Sequence, residues 1–123
     1  MEETKLDYLV EYEAFVNTFK KTEVSGEEVG ELIARMVNHY ATINLRLVSA
    51  LRDYSRVVRE LQNSTDEKTG KPMSSAKAEA LAAATSEAHT YNTMKAHVQN
   101  LQEIVNGLKS LQKGVMFEYS SSV

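Results

Sequence analysis

Arg52, Arg56 and Arg59 recur at i, i+4 and i+7 in the stretch "LRDYSRVVREL". On an ideal helix with 3.6 residues per turn they project within about 60° of one another. A row of guanidinium groups in that arrangement can track a phosphate backbone, neutralising its charge and releasing counterions. Arg46 lies further round the same segment and is the fourth candidate contact. The competing account is a solvated face whose arginines pair with Asp53, Glu60 or the acidic N-terminal segment. Tyr54 sits among these arginines, but its spacing assigns it to the apolar seam described below.

Other reactive chemistry is sparse. The three histidines are His39, His89 and His97. His89 and His97 stand eight positions apart, and no carboxylate completes a metal-binding spacing, so neither metal nor cofactor is expected. With no cysteine there can be no disulfide, thiolate metal site or cysteine nucleophile. "VNGLKS" and "EKTGKP" contain Gly and Lys without the spacing of a phosphate-binding loop. Asn63-Ser64-Thr65 fits a glycosylation sequon, but the acidic start "MEETKLDYLVEYE" has no secretory pattern, so the match reads as chance. No nucleophile or acid–base pair stands out, and the chain reads as a non-enzyme. A cytoplasmic protein without membrane contact is expected, because no apolar run approaches the ~18 residues of a span.

Charge is unevenly spread along the chain. Residues 1–31 carry nine acids against Lys5, Lys20 and Lys21, a net of −6. Residues 32–65 carry five arginines against Asp53 and Glu60, a net of +3. An acidic arm beside an arginine-rich segment can pair within one chain or between copies. The overall charge of −3 is unlike that of a dedicated DNA binder.

Three helices must position these groups. The first, over about 4–20, presents Tyr8, Tyr12, Phe15 and Phe19 at helical spacing. It should fold with Phe15 and Phe19 near Val29 and Leu32, although such a stripe can also serve as a binding surface. The second, over about 26–61, opens with Ser25 and Glu28 in the pattern of a capping box. Its seam runs Val29, Ile33, Met36, Tyr40, Ile43, Leu47, Leu51, Tyr54, Val58 and Leu61, close to a coiled-coil repeat. A polar loop over about 62–74 contains the single proline and should be mobile. The third, over about 75–117, is capped by Ser74 or Ser75; Gly114 should end it or loosen its last turn, and the tail should fray after Phe117.

The alanines of "SSAKAEALAAATSEAHTY" suit close helix packing. A hairpin register that sets Ala82 opposite Tyr54 and Ala78 opposite Val58 matches small residues to large ones. Ala80, Ala84, Ala88, Leu101 and Leu108 are the candidate interface positions, within the chain or between chains.

Across residues 45–116 the layout resembles small helical proteins of bacteriophages. The stretches that carry it are "LVSALRDYSRVVREL", "SSAKAEALAAATSEAHTY" and "HVQNLQEIVNGLKSLQ". Among these it is similar to recombination mediators, and the resemblance implies a helical oligomer that helps load a recombinase onto single-stranded DNA. The family role calls for a basic surface, of which this chain has the short arginine stripe.

The expectation is therefore an all-α protein, a short N-terminal helix packed on a long antiparallel helical hairpin. Two long apolar seams exceed what one short helix can cover, which points to a homo-oligomeric bundle. Three functions compete: an assembly or adaptor protein, with or without a second protein as partner; a recombination accessory binding single-stranded nucleic acid; and an inhibitor or small-molecule sponge with its pocket at an oligomer interface.

Overall fold

The computed structural model describes residues 6–122, with side chains described through residue 116. The fold is all-α, built from α1 (Asp7–Lys21), α2 (Gly26–Gln62), α3 (Ser75–Ala83) and α4 (Ser86–Ser122). The long helices α2 and α4 pack against each other as an antiparallel hairpin. Among the described residues no helix is long and apolar enough to cross a membrane.

One compact unit comprises residues 1–41 and 100–123. It contains α1, the first part of α2 and the last part of α4. Its core is Tyr8, Val24, Val29, Leu32, Met36, Leu101 and Leu108. Helix α1 carries Asp7 in its first turn and Lys20 and Lys21 in its last, the arrangement the helix dipole favours. It docks through Tyr8, which is fully buried, while Phe19 is exposed and stacks on Phe15 with ring centroids 6.0 Å apart. The aromatic stripe is thus core at its Tyr8 end and surface at its Phe19 end. A second tie runs from Glu11 of α1 to α2, where its carboxylate meets His39 Nε2 at 3.0 Å and Arg35 at 3.9 Å.

The start of α2 is capped as its sequence suggests. Ser25 Oγ accepts from the Glu28 amide at 3.1 Å. The Glu28 carboxylate takes the serine hydroxyl at 3.4 Å. Two glycines of α2 in this unit meet α4 side chains at close range. A Cβ at Gly26 would lie 2.9 Å from Met116 Cγ, and one at Gly30 would lie 2.8 Å from Gln112 Nε2. Gln112 uses that nearness to donate to the Gly26 carbonyl at 3.0 Å, and Gln102 donates to the Tyr40 hydroxyl at 3.2 Å. Contrary to expectation, Gly114 does not end α4, whose backbone stays helical past residue 117 to Ser122.

The second unit comprises residues 42–99. Its loop is a closed, hydrogen-bonded turn rather than an irregular dozen residues. Thr65 and Pro72 form an isolated bridge, and Met73 N–H donates to the Ser64 carbonyl at 3.0 Å. Gly70 takes a φ of +68°, a conformation that costs other residues strain. Asp66 holds the turn to α3 by accepting from Lys77 Nζ at 2.8 Å and from the Lys68 amide at 2.9 Å. The Lys77 hydrogen bond is the main reason its carboxyl sits below the usual range, and the Lys68 amide acts in the same direction.

The expected single helix over 75–117 is two helices. Ser74 caps α3 by accepting from the Lys77 amide at 3.2 Å. Helix α3 then ends at Ala84, and Thr85 stitches the break. Its hydroxyl donates to the Ala82 carbonyl at 2.6 Å and accepts from the Ala88 amide at 3.3 Å, so one side chain closes α3 and caps α4. Threonine suits this because its oxygen competes with the helical backbone bond. Across the hairpin Tyr54 stacks on Tyr91, nine positions beyond Ala82, with centroids 5.6 Å apart and rings inclined by 12°. Lys95 Nζ lies 5.0 Å from the Tyr91 ring centroid.

Candidate interaction surface

Arg46, Arg52, Arg56 and Arg59 of α2 lie in the second unit, and all four are exposed. Arg56 pairs with Glu60 one turn away at 3.3 Å, an exposed contact worth roughly 0.3–0.5 kcal/mol. Arg46, Arg52 and Arg59 enter no ion pair among the described residues. The acidic arm does not neutralise them through Glu11, whose partners are Arg35 and His39. Glu2 and Glu3 lie outside the described residues.

Beside the arginines stands an apolar band that a seam-based reading does not single out. Leu45 is 72% exposed, Val48 49% and Leu51 43%. At 100° per residue Leu45, Val48, Arg52 and Arg59 share a sector of about 60°, with Leu51 roughly 60° beyond its edge. Leu51, assigned by spacing to the buried seam, is therefore on the surface. Leu81 of α3 is exposed as well.

The imbalance has a structural cause. Among the described residues the largest fully buried side chains are Tyr8, Leu32, Met36, Leu101 and Val29, all in the first unit. The second unit buries Ile43, Ala50, Ala78, Ala82 and Ala88. A core made mainly of alanines holds helices close, and Leu45 and Val48 stand on the side of α2 away from buried Ile43.

The expected interface positions divide accordingly. Ala88, Leu101 and Leu108 are buried in the chain's own core and offer nothing to a partner. Ala80 and Ala84 are exposed, and Ala84 is the C-cap of α3 rather than a point of close helix contact. Of the histidines, His39 is the Glu11 partner and His89 is exposed. Among the described residues no group of three His, Asp or Glu side chains is placed to hold a metal ion.

The signals for these contributors were uneven. The G-x-x-x-G spacing of Gly26 and Gly30 is a signal that could have pointed to their close approach, while the helix start at Thr85, Ser86 and Glu87 is masked by the alanines before it. The exposure of Leu45 and Val48 was legible in their absence from the seam, since at 100° per residue they project about 160° and 140° away from buried Ile43. No protein-family model, curated protein or solved structure matches the chain.

Proposed function

We propose that this chain is a non-enzymatic interaction protein that self-assembles through the exposed face of α2. The observation that supports this is the band Leu45, Val48 and Leu51, left outside a unit whose core is mostly alanine. Fully covering a leucine or valine side chain stabilises by about 1.5–3 kcal/mol, so three on one face favour association. The flanking arginines keep the face hydrated in the free chain and select its partner by charge. Light scattering at micromolar concentration tests it. Wild type should exceed the 13.8 kDa of one chain, and Leu45→Glu with Val48→Glu should return it to that mass. A wild type that stays monomeric at every concentration refutes the proposal.

A second reading is supported by Arg52 and Arg59, exposed and outside every ion pair among the described residues. On it, the stripe contacts single-stranded nucleic acid, as a mediator of recombination would. The change of Arg52, Arg56 and Arg59 to Gln should then weaken binding and lower the salt slope by roughly two units, at about 0.7 per phosphate. No retention of single-stranded DNA on a filter at low salt removes this reading and leaves the first intact.

A further inference from the structure

We infer that copies of this chain join head to tail, the basic and apolar face of α2 in one copy seating in an acidic cleft of the next. The inference rests on the self-assembly proposed above and specifies which surfaces meet.

The two units differ in charge. Residues 1–41 and 100–123 carry eleven acids and six bases, a net of −5. Residues 42–99 carry six acids and eight bases, a net of +2. An isologous contact centred on the arginines would set Arg52, Arg56 and Arg59 against the same cations of the other copy. Like-charge juxtaposition of that kind is strongly unfavourable. A heterologous contact joins opposite signs instead.

The first unit has a surface of the required kind. An open cleft of about 1260 Å³ lies where the end of α1, the start of α2 and residues 112–116 of α4 meet. Its apolar lining is Phe19, Val24, Val115 and Met116, of which Phe19 and Met116 are exposed. Glu23, Glu27 and Glu28 line it too, and Glu31 is exposed one turn further along α2. Lys20 and Lys21 also line it, which reduces the negative charge without reversing it. Glu23, Glu27 and Glu31 enter no ion pair among the described residues.

The two surfaces match in both respects. Leu45 and Val48 supply apolar side chains for a floor that exposes Phe19 and Met116. Arg52 and Arg59 supply guanidinium forks for the carboxylates, which they can engage through two parallel hydrogen bonds. Each chain presents both surfaces once, so the contact repeats from copy to copy.

Charge exchange tests this. One variant carries Glu23→Lys, Glu27→Lys and Glu31→Lys; the other carries Arg52→Glu, Arg56→Glu and Arg59→Glu. Each alone should weaken self-association at least about tenfold in sedimentation velocity, since either change sets like charges together. Mixed one to one, they should associate again in alternation, because the introduced Lys faces the introduced Glu at one contact and the native Arg faces the native Glu at the next. Circular dichroism checks that each is helical, and Gln at the same three Glu positions, gentler on the start of α2, should give an intermediate loss. Wild type that assembles while the Lys and Gln variants assemble equally well overturns the inference and leaves self-assembly standing. Two weakened variants that stay apart when mixed overturn it too. Wild type that never associates removes both proposals.

Discussion

Replacing Tyr8 tests how α1 is held. Its side chain is fully buried although it sits in the first turn of a short helix whose other aromatic end is exposed. Tyr8→Ala removes the ring from a packed site, which typically costs about 3–5 kcal/mol. Against a total of roughly 5–15 kcal/mol for a domain, that is a large share. Tyr8→Phe keeps the ring and loses the hydrogen bond with the Asn100 side chain, a change worth about 0.5–1.5 kcal/mol. The low end applies, because Asn100 is exposed and water can replace the phenol.

Burial pushes the Tyr8 phenol above its ordinary value of 10.0, and the Asn100 hydrogen bond partly offsets this. A raised folded value means the neutral phenol is favoured in the folded chain. The associated stability is fully present below pH 10 and is lost as pH rises through the folded value. Urea denaturation followed by far-ultraviolet circular dichroism, for wild type and both variants from about pH 8 to pH 11, checks each statement. The advantage of wild type over Tyr8→Phe should shrink above pH 10, since phenylalanine does not ionise. A Tyr8→Ala cost below about 1 kcal/mol would refute the docking role, as such a site would have to be poorly packed. A difference between wild type and Tyr8→Phe that stays flat across the pH range would refute the burial account of its titration.

Two further outcomes follow from the packing. Ala82 is fully buried and Ala84 is exposed, so Ala82→Leu should cost about 1–3 kcal/mol in a denaturant titration while Ala84→Leu changes the midpoint little. Gly107 lies inside α4, and a Cβ there would meet nothing within 4 Å, so Gly107→Ala should stabilise by about 0.5–1 kcal/mol, read as a higher melting temperature.

Local features of this chain were legible because their causes are local. Ser25 and Glu28 at the start of α2, and Ser74 at the start of α3, act within one helical turn, where spacing alone identifies the partner amide. The break at Thr85 was equally local but was hidden by the alanines around it, since good helix formers on both sides mask a single capping threonine. The pairing of Tyr54 with Tyr91 is long-range, and no local signal identifies it.

The sequence by itself determined the helical class, the starts of α2 and α3 and the presence of an arginine row on α2. Periodicity, caps and the scarcity of breakers are properties of neighbours along the chain. Only the tertiary structure decided which apolar residues became core. Leu32 and Leu101 are enclosed, while Leu51 is left outside, although all three are leucines on long helices. It also decided that Glu11 pairs with His39 and Arg35, and that Gly26 and Gly30 admit α4 side chains at close range. These outcomes depend on what stands opposite each residue, and a helix sequence records its own faces but not the surface that will cover them.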